Sequence, residues 1–122
     1  MSTFAGIHWS TLMYKIRATY LPRAEMRFDL EYYHRVHVPL ARAKTAGRFN
    51  IRAMDVESGA VLLTDATVKR APCVLSLSFD SLDDVDAFRR LLLSNDVEAL
   101  RADVPRYTNC DLEWTLSEVR EV

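Results

Sequence analysis

The sequence predicts a single α+β domain in which a four-stranded antiparallel sheet carries two helices on one face. Three observations lead to this prediction. The length of 122 residues suits one compact domain. An apolar fraction of 49% beside 27% charged residues is typical of a globular protein. The hydrophobic patterns follow the order strand, helix, strand, strand, helix, strand, which is the split βαβ or ferredoxin-like plait.

The first strand and helix are predicted from residues 11–46. Residues 11–20 alternate between apolar and polar side chains and predict a strand. Asp29 is placed to cap a helix that runs from about Leu30 to Ala46. Pro39 lies inside this helix and removes a backbone donor, so we expect a kink near residues 35–38.

Two further strands are expected in the middle of the chain. Residues 48–58 predict strand two, and the alternation breaks around Ala53–Met54, which suggests a bulge. Residues 59–72 are expected to be a long loop. Residues 73–80 give the clearest alternation in the sequence and predict strand three.

The last third of the sequence predicts a helix, a short helix and a final strand. Ser81 is placed to cap a helix over residues 82–94. A capping-box spacing at Asn95 predicts a short helix to about residue 103, which Pro105 would end. Residues 111–119 alternate again and predict strand four.

Two helices can cover only one face of such a sheet. With strand one between strands three and four, the uncovered face carries Lys15, Arg17, Ser76, Ser78, Glu113, Thr115 and Ser117. Antiparallel sheets tolerate a solvated polar face. Alternatively, two sheets meet around a symmetry axis, with Lys15 or Arg17 pairing with Glu113, and the residues alone leave both possibilities open.

Composition excludes several classes of function. A net charge of −1 argues against a dedicated nucleic-acid binder. The apolar runs are too short to span a membrane, and no secretory signal precedes the domain, so we expect a cytoplasmic protein. Cys73 and Cys110, 37 positions apart, are expected to be reduced thiols in or near the core.

The segment most suggestive of chemistry lies on the first predicted helix. Tyr33 and His37 are four residues apart and share a face, and His34 lies one turn before His37. An imidazole beside a phenol can transfer protons at neutral pH. The alternative is a half-buried packing pair with no catalytic role. The spacing of His34 and His37 suits metal ligation poorly, and three scattered glycines exclude a phosphate-binding loop.

Two windows of the sequence resemble a known family. FDLEYYHRVHVPLA (28–41) and ADVPRYTNCDLEWTLSEV (102–119) are similar to the EthD family of dimeric α+β barrel proteins, named for ethyl tert-butyl ether degradation. The likeness extends over residues 12–119. We therefore divide the chain into an N-terminal extension, residues 1–10, and one EthD-like ferredoxin-like domain, residues 11–122.

The resemblance implies a homodimer whose two sheets close into a barrel, with a pocket between the helices and the sheet of each protomer. It also implies chemistry without a metal or organic cofactor. We therefore predict a cofactor-free lyase or isomerase that acts on a small lactone or an aromatic, polyketide-like molecule. His37 and Tyr33 are the predicted catalytic residues. The predicted substrate-binding residues are Asp29, His34, Tyr107, Asn109 and Trp114.

Two alternatives remain open at this point. The first is a dimeric accessory protein that binds a hydrophobic small molecule without transforming it, with His37 as a structural hydrogen-bonding residue. The second is a haem-degrading monooxygenase of the same barrel superfamily, which would use an exposed histidine as axial ligand.

Overall fold

The computed structural model describes residues 12–122, and its centre is a four-stranded antiparallel sheet. The predicted extension, residues 1–10, lies outside the described residues. The strands of this sheet are β1 (Met13–Tyr20), β2 (Ala53–Ser58), β5 (Cys73–Phe79) and β6 (Leu112–Val119). They lie side by side in the order β2–β5–β1–β6. Strand β1 lies between β5 and β6, which confirms the predicted plait topology.

The segment expected to be a loop forms a small hairpin instead. Strands β3 (Val61–Leu62) and β4 (Asp65–Lys69) pair in an antiparallel two-stranded sheet that is separate from the main one. The prediction failed because a two-residue strand carries too little alternation to be recognised. Strand β2 begins only at Ala53, so the broken alternation marks the start of the strand and not a bulge.

The first helix consists of three consecutive segments: α1 (Leu30–Tyr32), a π-helical turn (Tyr33–His37) and α2 (Val38–Thr45). The carboxylate of Asp29 accepts a hydrogen bond from the backbone N–H of Tyr32 at 3.0 Å, so the predicted N-cap is confirmed. The irregularity expected near residues 35–38 takes the form of the π-helical turn. The N–H of Val38 bonds to the carbonyl of Tyr33, five residues back, immediately before Pro39.

The second helical region contains α3 (Leu82–Leu92), a 3₁₀ turn (Asn95–Val97) and α4 (Glu98–Tyr107). Ser81 caps α3 as predicted, whereas Ser94, and not Asn95, caps the 3₁₀ turn. Helix α4 continues through Pro105 to Tyr107, beyond the predicted end. Pro105 removes one backbone hydrogen bond, and the complete burial of Tyr107 against the sheet outweighs that loss.

The helices pack on one face of the sheet and enclose two buried clusters. The apolar cluster contains Ile16, Ala18, Leu75, Leu77, Phe79, Val85 and Phe88. The tyrosine cluster contains Tyr20, Tyr33, Cys73, Tyr107 and Cys110. Both cysteines are buried free thiols, as predicted.

The opposite face of the sheet carries the polar side chains predicted for it. Arg17 donates a hydrogen bond from Nη1 to the Ser117 hydroxyl at 3.2 Å, across the β1–β6 pair. Within residues 12–122, no helix is long and apolar enough to cross a membrane.

Candidate functional site

A cavity of about 390 Å³ lies between the helices and the sheet. Its wall is formed by residues of β1, β2, β5 and β6 on the sheet side and of all the longer helices on the other side. The wall is overwhelmingly aliphatic and aromatic. The residues of the wall whose side chains carry a polar group are Tyr20, Tyr33, His37, Thr45, Arg101 and Trp114.

The exposure of the lining residues distinguishes the mouth of the cavity from its closed end. Leu93 is 77% exposed, and Arg101 is also exposed, so the cavity opens between the end of α3 and the helix α4. His37 is only 8% exposed, and the two tyrosines of the wall, Tyr20 and Tyr33, are 2% and 0% exposed. The acid–base groups therefore lie at the closed end, away from bulk water.

A buried histidine–aspartate pair is the central feature of this end. His37 Nδ1 lies 3.0 Å from Asp103 Oδ2, and each residue is 8% exposed. The hydroxyl of Tyr32 donates to the other carboxylate oxygen of Asp103 at 2.6 Å. The π-helical turn brings His37 to the pair and α4 brings Asp103, from positions 66 residues apart.

The pKa values of this pair fix its protonation. Burial lowers the pKa of His37 from its ordinary 6.5, and Asp103 offsets only part of this effect. Burial also raises the pKa of Asp103, but hydrogen bonds from Tyr32 and His37 outweigh it and the net pKa is lowered. At neutral pH the pair is a carboxylate beside a neutral imidazole. Because a carboxylate only accepts hydrogen bonds, the imidazole proton is on Nδ1, and Nε2 keeps its lone pair.

The tyrosine cluster surrounds the imidazole. The ring of His37 stacks on Tyr33, with centroids 5.4 Å apart, and contacts the ring of Tyr107 at 4.7 Å. The hydroxyls of Tyr20 and Tyr107 bond to each other at 2.5 Å. The buried hydroxyl of Tyr33 lies beside Tyr20 and Cys73 but makes no hydrogen bond of ordinary geometry with a described residue.

The tyrosines of this cluster serve as hydrogen-bond donors and not as bases. Burial raises the pKa of Tyr20 to about 12 and raises the pKa values of Tyr33 and Tyr107 as well. The neighbouring thiol is similarly inert, because burial raises the pKa of Cys73 to about 12. His37 is therefore the group of this end best suited to accept a proton at neutral pH.

The structure brings four of the predicted site residues together. His37, Tyr33 and Trp114 line the same cavity, with Trp114 contributed by β6. Tyr107 lies directly behind the imidazole and not in the cavity wall.

Three other predicted residues lie outside the cavity wall. Asp29 caps the first helix, and His34 is exposed on its outer surface. Asn109 connects two loops: its Oδ1 accepts from the N–H of Arg27 at 2.8 Å, and its Nδ2 donates to the carbonyl of Glu25 at 2.9 Å. These contacts are structural in kind.

Sequence reasoning did not select Asp103, the partner of His37. A signal for it exists, because Leu100, Asp103, Val104 and Tyr107 recur at helical spacing and form the inward face of α4. A carboxylate on such an apolar face is seldom buried unless another polar group pairs with it. Its presence there therefore indicates a candidate site. The prediction missed it because the helix was expected to end at about this residue.

Comparison with known proteins finds no matching family model and no matching curated protein. Solved structures do match. An EthD-like protein from Ralstonia eutropha JMP134 is 20% identical, with a TM-score of 0.71 over 90% of this chain and 92% of that one. An ethyl tert-butyl ether degradation (EthD) family protein from Bacillus halodurans C-125 is 17% identical, with a TM-score of 0.55 over 90% and 99%.

Two further structures share the architecture. SnoaB, a cofactor-independent oxygenase from Streptomyces nogalater, is 13% identical, with a TM-score of 0.52 over 93% of this chain and 97% of that one. A dimeric protein of unknown function and ferredoxin-like fold from Bacteroides fragilis is 15% identical, with a TM-score of 0.50 over 93% and 100%. At these identities the likeness establishes the fold: the chain has the ferredoxin-like α+β fold that the EthD-like proteins of known structure also have.

Proposed function

We propose that this protein is an EthD-type, cofactor-independent acid–base catalyst, a lyase or isomerase acting on a small lactone or an aromatic, polyketide-like molecule. The observation that carries the proposal is the neutral imidazole of His37, held by Asp103 at the closed end of an apolar cavity. A histidine oriented by a buried carboxylate is the arrangement that proton-transferring enzymes use to fix a tautomer. The fold, which the EthD-like structures and a cofactor-independent oxygenase share, supports a small-molecule site; the reaction class is inferred from the site itself.

The first step is proton abstraction by His37. Nε2 takes the proton from a carbon next to a carbonyl group of the bound substrate, and an enolate forms. Asp103 stabilises the imidazolium that results, because its carboxylate already accepts the Nδ1 proton. In an isomerase the imidazolium returns this proton to another atom of the substrate; in a lyase it protonates the leaving group.

The enolate oxygen needs a hydrogen-bond donor in the same wall. Among the described residues, the buried hydroxyl of Tyr33 is a donor that lies beside Tyr20 and Cys73 and makes no hydrogen bond of ordinary geometry, and we assign this role to it. Its raised pKa keeps the phenol protonated and able to donate. Trp114 supplies an apolar surface against which an aromatic or alicyclic body can pack.

The test is hydrogen–deuterium exchange into candidate substrates, followed by NMR in D₂O, with a panel of small lactones and phenolic ketones. Exchange at the carbon next to the carbonyl group reports the proposed step without the complete reaction. We expect wild type to catalyse this exchange and His37→Asn to slow it by about 10²–10⁴-fold. His34→Asn is the matched control, because this histidine is exposed on the same helix. Equal exchange in His37→Asn and wild type would contradict the proposal.

A second candidate function is binding without catalysis. Its support is the wall itself, in which the hydroxyl of Tyr20 is already bonded to Tyr107 and few polar groups are free to act on a ligand. On this alternative, compounds of the panel bind and raise the melting temperature, but none exchanges a proton in wild type. His37→Asn would then lower the melting temperature, and the exchange rate would stay at the uncatalysed value seen with wild type.

We also propose that two copies pair through the uncovered face of the sheet. The similar protein from Bacteroides fragilis is dimeric, and in this chain both helical regions lie on the other face. Light scattering of the purified protein should give twice the mass of one chain. Arg17→Glu should shift the measured mass toward that of a single chain. A monomer at micromolar concentration would contradict the pairing.

A further inference from the structure

Arg101 is the charged residue of the cavity wall. It lies on α4 at the mouth, where Leu93 of the neighbouring segment is also exposed. No aspartate or glutamate is among the described residues that line this cavity. The mouth therefore presents a positive charge next to an apolar interior.

The guanidinium of Arg101 is held in place by backbone carbonyls. Nη2 donates to the carbonyl of Leu92 at 2.5 Å and to that of Ser94 at 3.0 Å. These carbonyls lie at the C-terminal end of α3 and just after it, where a cation is favourable. One nitrogen of the side chain is thus sufficient to complete the helix end.

The other nitrogens of the guanidinium have no hydrogen-bond partner within the described residues. Nη1 and Nε of Arg101 make no hydrogen bond to residues 12–122, and no carboxylate of these residues lies within ion-pair distance. An arginine has five donors, so three remain available. Both paired edges of a guanidinium include Nη2, so Nη1 or Nε can donate a single charge-assisted hydrogen bond to a carboxylate oxygen while Nη2 keeps its carbonyls.

We propose that Arg101 binds the carboxylate of a substrate whose apolar body fills the cavity and whose reactive carbon lies toward His37. The inference rests on the proposed function and names its substrate class: a lactone or aromatic molecule that carries a carboxylate. A cavity of about 390 Å³ lies within the range of small-molecule sites. The carboxylate remains near water at the mouth, and the apolar part is buried.

The test compares a charged probe with its neutral counterpart. Calorimetric titration with 2-naphthoate and with 2-naphthamide measures how much of the affinity depends on the charge. We expect wild type to bind 2-naphthoate about tenfold more tightly than 2-naphthamide. Arg101→Gln should abolish this preference, and Arg101→Lys should retain part of it, because lysine keeps the positive charge but not the placement of the donor nitrogens.

Arg90→Gln is the matched control. This arginine is exposed on α3 and does not line the cavity, so its replacement should leave the preference unchanged. Thermal melting of all variants checks that the end of α3 has survived. Equal binding of both probes to wild type, no binding of either probe, or an unchanged preference in Arg101→Gln would overturn the proposal.

The binding preference and the proton transfer can fail separately. His37→Asn should retain the preference for 2-naphthoate while it loses exchange activity. If His37-dependent exchange occurs equally well in Arg101→Gln with carboxylate-bearing lactones, the inference on Arg101 fails and the proposed function stands. If the preference for the carboxylate depends on Arg101 but wild type catalyses no hydrogen–deuterium exchange in any lactone, the protein binds carboxylate-bearing molecules and the catalytic proposal fails.

Discussion

The two buried clusters lie against the same sheet and differ in chemistry. The apolar cluster is built from aliphatic side chains and two phenylalanines, and its side chains contribute no polar atom. The tyrosine cluster contains three phenols and two thiols, and the hydrogen-bonded pair of His37 and Asp103 adjoins it. Apolar burial alone can account for the first cluster, but it does not explain why a core would bury the second.

The difference indicates where stability and where function are located. Burying hydroxyl, imidazole and carboxylate groups opposes folding unless each one finds a partner. In the tyrosine cluster most of them do, but the hydroxyl of Tyr33 does not. A buried polar group without a partner is expected where binding or catalysis uses it. The comparison therefore predicts different responses to substitution in the two clusters.

The largest effect is expected in the apolar cluster. Phe88→Ala removes a ring that contacts Phe49, Phe79 and Trp114 at 5.6–5.9 Å between centroids. The free energy of unfolding should fall by about 3–5 kcal/mol, because the ring contacts and the apolar burial of Phe88 are lost. Urea denaturation measures this loss. A loss below about 1 kcal/mol would mean that this cluster is not the main source of stability.

A smaller loss is expected at the hydrogen-bonded pair of His37 and Asp103. Asp103→Asn weakens the bonds to Tyr32 and His37 and should lower the free energy of unfolding by about 1–3 kcal/mol. Asp96→Asn is the control, because Asp96 pairs with Arg48 on the surface and each side chain is about half exposed. It should change stability by less than about 1 kcal/mol. Equal effects of the two substitutions would contradict the special position of Asp103.

The dependence of stability on pH should report the same pair. Because the fold lowers the pKa of His37 from 6.5, the unfolded chain binds this proton first as the pH falls. The contribution is complete above pH 6.5 and is lost as the pH falls from there toward the pKa of the folded state. Asp103, whose pKa is lowered from 3.8, loses its contribution at lower pH.

Unfolding by urea as a function of pH tests this sign. The loss of stability between pH 6.5 and the folded-state pKa of His37 should be reduced in His37→Asn and unchanged in His34→Asn. If stability increased as the pH fell through 6.5, the folded state would favour the imidazolium, and the assignment of a neutral His37 would be wrong.

The smallest changes in stability are expected when a single tyrosine hydroxyl is removed. They distinguish a hydroxyl that makes a hydrogen bond from one that does not. Tyr107→Phe removes the bond to Tyr20 and should lower stability by about 1 kcal/mol. Tyr33→Phe removes a hydroxyl without a partner among the described residues, so stability should stay within about 0.5 kcal/mol of wild type or rise. Thermal melting of both variants measures the contrast. A greater loss in Tyr33→Phe would show that this hydroxyl is bonded in the folded protein.

The sequence was sufficient for the fold because its signals are local. The alternation of residues 13–20, 73–79 and 112–119 and the caps at Asp29 and Ser81 each act within a few residues. Their order then restricts the topology to the plait. The hairpin β3–β4 was missed because short strands have no period to detect, and α4 was ended too early because tertiary burial of Tyr107 overrode Pro105.

Only part of the candidate site could be predicted from the sequence in the same way. His37 and Tyr33 share one helix, so their proximity followed from spacing. The partner of His37 is 66 positions away, and no local pattern joins the two residues. Likewise the free donors of Arg101 depend on where α3 ends in space. Contacts between distant segments set both features, and a single sequence does not encode them in any periodicity.

The central claim is that His37 is a neutral base with its proton on Nδ1. Long-range ¹H–¹⁵N correlation spectra of the histidine rings, recorded through a pH titration, measure tautomer and pKa together. The chain has three histidines, and His34→Asn and His37→Asn complete the assignment. We expect a protonated Nδ1, an unprotonated Nε2 and a pKa below 6.5 for His37. A proton on Nε2 at neutral pH, or a pKa above 6.5, would contradict it.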